Sequence, residues 1–379
     1  MTVQKIEDER LREVVLSAMK AEGLENSEAG ILGLKRLVAK KEGIKSLKGI
    51  EILKNIEELT LFNNYIEDIT PVSKLQALKK LEIDGNSIKD ISSLNELKNL
   101  ETLSADGNRI DDISGLGGLQ KLKSLSLRRN ELRKICGLKG LKEIQFIDLG
   151  ENEIESVEPL DGLTQLKSMD LSYNNLGGIQ FLEKLVSLEK IDLSNNQIED
   201  IEPLKEMRNL KKLNVSYNEI TEISEELKLE NLEQADFSCN EISGFDGLKN
   251  LKKIQDLDLS SNQITSLDFI NEMPDLTKLY FGDNLLESLP NPEELKNIKE
   301  LDISDNQIES IENLRGATNL EKIYVSGNRI KNLDVLAELE KIKYIDFSRK
   351  YVKDLGFLKR CKGLEKVNVE CEKLKALNL

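Results

Sequence analysis

Seven aspartates stand at positions separated by multiples of 22 residues, Asp148, Asp170, Asp192, Asp236, Asp258, Asp302 and Asp346, and Tyr280 and Tyr324 fill two of the intervening places. Carboxylates repeated at one spacing can chelate a hard cation, move protons as general acids and bases, or receive the cationic side chains of a partner. Calcium loops need the D-x-D-x-D-G order, which is absent. Proton transfer near neutral pH is ordinarily histidine's work, and the chain has no histidine. The same absence removes Ser-His-Asp and Cys-His nucleophiles and imidazole-bound zinc. The four cysteines, Cys136, Cys239, Cys361 and Cys371, show no C-x-x-C spacing, so they read as free thiols and lean toward a reducing compartment. The chain therefore reads as a non-enzyme with no catalytic residue, cofactor or metal, which leaves recognition of a partner.

The elements that must carry the aspartate row repeat with it. Asparagine recurs every 22 residues at Asn64, Asn86, Asn108, Asn130, Asn152, Asn174, Asn196, Asn218, Asn240, Asn262, Asn284, Asn306 and Asn328. An aliphatic residue follows two places later, as at Ile66 and Leu132, and apolar residues precede at five and three places, as at Leu59 and Leu61. The L-x-L segment has the period of a strand, with two side chains inward and the one between them outward. One such strand per repeat gives a parallel sheet, and each strand can bury its single apolar face only by stacking on its neighbours. Each asparagine leaves the strand where the backbone turns, so its amide can satisfy buried main-chain groups of its own and the adjacent coil. The composition suits this, with 39 % hydrophobic residues but only 4 % aromatics, a core of aliphatic chains of similar size. The fold expected is an α/β leucine-rich-repeat solenoid, a curved horseshoe with a concave parallel sheet. Strands count to fifteen from Leu59 to Val367, and a degenerate one fits at Leu37.

A coil of 22 residues is too short for a full helix on its back, so short 3₁₀ or extended segments should line the convex side. Pro71, Pro159 and Pro203 fall there, where a missing N–H is tolerated. Glu226 and Pro292 replace the leucine of that segment, and local bulging is expected at both. Leu11, Val14, Val15, Ala18 and Met19 form the stripe of an amphipathic helix with Asp8 as N-cap, so residues 1–30 read as a cap and residues 31–379 as the repeat array. At the other end Lys350 replaces the ladder asparagine, Glu372 stands at the next ladder place, and Leu374, Leu377 and Leu379 continue the apolar pattern with no cap visible. Either the chain continues in a longer protein, or a partner or second copy contacts the uncapped last coil.

The 22-residue unit resembles that of bacterial internalins and, more distantly, of the cytosolic leucine-rich-repeat regulator of type 1 protein phosphatase. The sharper likeness is N-terminal. The helix around Asp8 to Lys20 is followed by Gly43-Ile44-Lys45-Ser46-Leu47-Lys48-Gly49-Ile50-Glu51-Ile52-Leu53 and then Asn64-Tyr65-Ile66-Glu67-Asp68-Ile69-Thr70-Pro71-Val72, which is similar to the cap and first repeat of internalin-like proteins. The resemblance implies a bacterial surface protein whose concave face binds another protein. The chain departs from the family pattern in having no export signal after Met1 and no immunoglobulin-like domain or wall anchor after the repeats. A cell-surface or secreted location follows from the resemblance, and a cytoplasmic one if the chain is complete as it stands, with a regulatory or scaffolding subunit as the alternative function.

The candidate partner-binding residues on the concave face are Phe146, Asp148, Asp170, Asp192, Asp236, Asp258, Tyr280, Asp302, Tyr324, Tyr344 and Asp346, because tyrosines are frequent binding anchors. Phe62 is a further candidate aromatic. Two plainer readings stand beside these: aspartate in L-D-L-S can serve its own main chain, and Phe62 and Phe146 can be edge packing. Lys190, Lys212, Lys278, Lys322 and Lys366, two residues before the central row, are expected to offset part of its charge. Glu57, Lys79, Glu101 and Lys123 alternate in sign and read as cross-strand pairs. A net charge of −15, from 69 acidic against 54 basic residues, argues against nucleic acid. No apolar run of about 18 residues occurs to insert in a membrane. Cys361 takes a core leucine's place, and Cys239 and Cys371 read as near the surface.

Overall fold

The computed structural model describes residues 3–370. The chain forms two compact units, one ending at Gln197 and the other beginning at Ile198.

The first unit opens with the helices α1 (Glu9–Ala21) and α2 (Glu28–Gly33). Leu11, Val15 and Met19 are buried, and Val14 and Ala18 are half-buried beside them. Asp8 caps α1 as expected, with Oδ1 accepting from Leu11 N at 3.1 Å. Its Oδ2 accepts from Lys45 N at 2.9 Å and Ser46 N at 3.3 Å, so one carboxylate ties the helix to the first coil. Eight parallel strands follow: β1 (Arg36–Val38), β2 (Glu58–Thr60), β3 (Lys80–Glu82), β4 (Thr102–Ser104), β5 (Ser124–Ser126), β6 (Phe146–Asp148), β7 (Ser168–Asp170) and β8 (Lys190–Asp192). Neighbours pair at an offset of 22 residues, for example Leu59 with Leu81.

The second unit carries eight more parallel strands: β9 (Lys212–Asn214), β10 (Gln234–Asp236), β11 (Asp256–Asp258), β12 (Lys278–Tyr280), β13 (Glu300–Asp302), β14 (Lys322–Tyr324), β15 (Tyr344–Ser348) and β16 (Lys366–Glu370). Both units are thus leucine-rich-repeat solenoids with the expected strand at Leu37 and the expected 3₁₀ turns on the back of the coils.

Most strands are three residues long because the asparagine draws the chain out of the sheet. Asn262 is representative. Its Nδ2 donates to Phe237 O at 3.1 Å and Leu259 O at 3.0 Å, and its Oδ1 accepts from Ile242 N at 3.0 Å. Asn174 makes the same set in the first unit. The residue before the asparagine sits in left-handed backbone, from Asn63 at φ 53° to Asp305 at φ 49°, with glycine at Gly85, Gly107 and Gly327. Where Lys350 replaces the asparagine nothing draws the chain out. There β15 and β16 run five residues and stay paired to Ser348 and Glu370. Glu372, Leu374, Leu377 and Leu379 lie outside the described residues.

Pro71, Pro159 and Pro203 are the second residues of the 3₁₀ turns Thr70–Lys74, Glu158–Leu160 and Glu202–Leu204. The two irregular coils differ from each other. No 3₁₀ turn forms at Glu226, which is exposed while Leu227 turns inward to 1 % exposure in its stead. At Pro292 a turn does form, Pro292–Leu295, but it starts eight rather than six residues after the ladder asparagine.

Replacing Asn262 with alanine strands the N–H of Ile242 and the carbonyls of Phe237 and Leu259 in the core. The expected cost is roughly 3 kcal/mol, from about 1–3 kcal/mol for each buried polar group left unpaired. Urea unfolding followed by circular dichroism checks it, through a lowered midpoint.

Candidate protein-binding face

The outward residues of each unit's strands form its open sheet face. In one coil Leu257, Leu259, Ile264, Leu267, Ile270 and Leu276 are all buried. Each such side chain contributes roughly 1.5–3 kcal/mol, whereas like charges on neighbouring strands cost about 1 kcal/mol or less. Core burial therefore outweighs repulsion, and the solenoid can carry a row of carboxylates.

In the first unit Asp148, Asp170 and Asp192 are register neighbours on β6, β7 and β8, and Phe146, also on β6, is 49 % exposed. Each aspartate accepts from the chain two residues on: Gly150 N at 3.0 Å, Ser172 N at 2.9 Å and Ser194 N at 3.0 Å. The local role weighed from sequence is thus real for these carboxylates. Arg128 reaches across the row, with Nη1 3.2 Å from Asp170 Oδ2 and 3.8 Å from Asp148 Oδ1, while Nη2 holds Glu151 at 2.8 Å.

In the second unit Asp236, Asp258, Tyr280, Asp302, Tyr324 and Asp346 are consecutive register neighbours on β10 to β15. Oδ1 of Asp236 accepts from Ser238 N at 2.9 Å, that of Asp258 from Ser260 N at 2.9 Å, and that of Asp302 from Ser304 N at 2.8 Å. Asp346 accepts from Ser326 Oγ and Asn368 Nδ2. Tyr344 starts β15, with its ring centroid 5.0 Å from that of Tyr324. The tyrosines and Phe62 are half-buried, so Phe146 alone of these candidate aromatics is exposed.

Three of the lysines expected to offset the central row make other contacts. Lys278 pairs with Asp256 and Lys322 with Glu300, each at 3.1 Å and within their own row, and Lys366 lies over the Tyr344 ring at 5.5 Å. Among the described residues no ion pair joins Asp236, Asp258, Asp302 or Asp346 to a cation. In the first unit Lys79 does pair with Glu57 at 2.8 Å and Lys123 with Glu101 at 2.7 Å.

Burial, then the charges of Asp236 and Asp302, pushes the Asp258 carboxyl above its usual range against the bonds from Ser260. Burial, then Asp346 and Asp305, does the same for Asp302. The phenols of Tyr280 and Tyr324 are also pushed up, first by burial and then by Glu300. Among the described residues no group of three or more Cys, Asp or Glu side chains could hold a metal ion, and no helix is long and apolar enough to cross a membrane.

Sequence reasoning missed several participants. Glu300 lies between the two tyrosines, only 14 % exposed, and accepts from Tyr324 Oη at 3.5 Å. Arg128 was hidden because it precedes the aspartates it meets by one and two repeats. Tyr65, Tyr173 and Tyr217 are the most exposed aromatics, at 63, 55 and 58 %. Tyr173 and Tyr217 hold φ 54° in the place elsewhere taken by glycine, and a bulky residue in left-handed backbone at that fixed register was the available signal. Cys136 is exposed, Cys239 half-buried and Cys361 buried, and Cys371 lies outside the described residues.

Family models for paired leucine-rich repeats match residues 76–118, 98–143, 164–206 and 274–316, and a further leucine-rich-repeat model matches residues 208–264. Among solved structures, an internalin (inlF) from Listeria monocytogenes is 31 % identical over 92 % of this chain and 97 % of its own, with a TM-score of 0.79. Internalin C2 from the same organism is 31 % identical over 55 % of this chain and 92 % of its own, TM-score 0.51. A leucine-rich-repeat protein of Leptospira interrogans shares the fold at 24 % identity, covering 90 % of this chain and 97 % of its own, TM-score 0.80. No curated protein matches the chain.

The shifted carboxyls set the pH response. Asp258 and Asp302 have folded values above the unfolded one near ~4, so the stability they give is full below that value and is lost as pH rises through the folded value. Glu57, Glu101 and Glu321 are held low by Lys79, Lys123 and Lys343, so their contribution is lost only as pH falls below the ordinary carboxylate range. Melting temperature is expected to rise slightly as pH is lowered from neutrality toward the ordinary carboxylate range of about 4 and to fall below it. The double variant Asp258→Asn, Asp302→Asn should melt about 1–2 °C higher at pH 7 and lose most of that rise, as calorimetry at each pH would show.

Proposed function

The chain belongs to the internalin-like leucine-rich-repeat family, and from that premise we propose that it is a protein-binding module of surface or adhesion type whose partner seats on the open sheet face. In this reading residues 1–30 are the cap and residues 31–379 the repeat array, and each of the two units offers its own sheet face. The observation that carries the reading is the run Asp258, Tyr280, Asp302, Tyr324, Asp346 on adjacent strands. Half-buried tyrosines held by their neighbours offer contact area at little entropic cost, and tyrosine is enriched among residues that dominate binding energy. Carboxylates without cations between them give such a surface charge selectivity. The partner is a protein and not a nucleic acid, since the face is acidic, and the module does no catalysis.

The exposed free thiol of Cys136 favours a second reading, a regulatory or scaffolding subunit in a reducing compartment. Capture separates the two. The immobilised chain is offered animal cell-surface extract and bacterial cytoplasm in parallel with the variant Asp258→Asn, Tyr280→Ala, Asp302→Asn, Tyr324→Ala. A surface protein should be retained by the natural chain and bound at least about 30-fold more weakly by the variant, from ~2 kcal/mol for a dominant contact, with cooperative melting showing that the variant is still folded. Retention of a cytoplasmic enzyme through the same residues selects the regulatory reading, and equal binding by a folded variant removes the face from the account.

A further inference from the structure

The second unit's open face has a vacancy that the first unit fills from its own chain. We propose that Asp236 and Asp258, beside Tyr280 on the next strand, receive an arginine side chain of the partner protein. This rests on the binding-module reading and specifies what such a partner must present.

Arg128 shows the arrangement in the first unit. Asp148 and Asp170 are register neighbours, each with Oδ1 engaged by the chain two residues on. Across that pair lies the Arg128 guanidinium, whose Nη1 donates to Asp170 Oδ2 at 3.2 Å. Asp236 and Asp258 repeat the same fixture, as register neighbours with Oδ1 held by Ser238 N and Ser260 N at 2.9 Å each. Arg128 stands two residues before ladder Asn130, on the strand preceding the pair. The corresponding place in the second unit, two before Asn218, is Ser216, which is buried and gives its hydroxyl to Asn214 at 2.8 Å. The carboxylates are therefore set in position, and among the described residues no ion pair joins either of them to a cation.

Two of the nearby lysines are engaged elsewhere, Lys278 with Asp256 and Lys322 with Glu300. Tyr280 is in register with Asp258, one strand spacing of about 4.8 Å away, and a cation–π contact reaches about 6 Å from a ring centroid. A planar guanidinium can bridge two carboxylates and lie along an aromatic ring, whereas an ammonium is a single strongly hydrated point charge.

The test uses the full chain and three acetylated, amidated tetrapeptides, of arginine, of citrulline and of lysine, with affinity read by calorimetry at two salt concentrations. Variant D236N/D258N keeps the local fixture, because Asn214 Oδ1 accepts from Ser216 N at 3.0 Å as aspartate does elsewhere. A charge-matched control, E230Q/E241Q, removes two exposed carboxylates away from the row. The arginine peptide should bind the natural chain at least about tenfold more tightly than the citrulline peptide, and more tightly than the lysine peptide. D236N/D258N should weaken it by about tenfold and Y280A by about threefold, with the control unchanged. Equal binding of arginine and citrulline, or equal loss in D236N/D258N and the control, overturns the proposal. If that happens while the four-residue face variant still loses its captured partner, the binding-module reading stands and only the arginine assignment falls.

Discussion

Fourteen of the sixteen described strands end after three residues, and the buried main-chain groups exposed where the chain turns out must find partners without water. The ladder asparagines do this. Asn262 serves two carbonyls and one N–H, one of each from the coil before its own, so a single amide closes its own turn and locks its stacking on that preceding coil. Position 350 supplies the contrast, because lysine there leaves the chain in the sheet and the strands lengthen to five residues. Strand length, the left-handed residue before each asparagine and the constant 22-residue register all follow from this one constraint.

With the turn and the core accounted for, the outward strand residues are free of structural duty except toward their own backbone. Aspartate fits that limited role well. One oxygen accepts from the N–H two residues on, which fixes the side chain, and the rest of the carboxylate remains on the face. A residue serving the local chain is thereby held in place on the face, so the local role and the proposed binding role of the row are compatible. The two units use it differently, one with Arg128 across its aspartates and the other with tyrosines between them.

Much of this was legible in the sequence because a 22-residue period assigns each position to a column. The ladder, the inward leucines, the Asp8 cap and the strand at Leu37 are column properties and can be read without coordinates. What joins columns is not legible. Arg128 meets carboxylates one and two rungs on, Glu300 sits under two phenols from flanking strands, and Lys278 turns to Asp256 along its own row instead of to the central aspartates, because side-chain length and rotamer decide such contacts. The substitution at Glu226 likewise gave no hint that Leu227 would swing inward to fill the core in its place.

The claim on which the rest turns is that the ladder carries the fold while the open face carries binding. Carboxyl footprinting of the chain alone and with its captured partner measures this directly, by labelling solvent-reached aspartates and glutamates and locating them by mass spectrometry. The account predicts that Asp236, Asp258 and Asp302 lose labelling in the complex while Glu230 and Glu241 keep theirs. Protection confined to Glu230, Glu241 or the 3₁₀ turns, with the central row labelled as before, would contradict it.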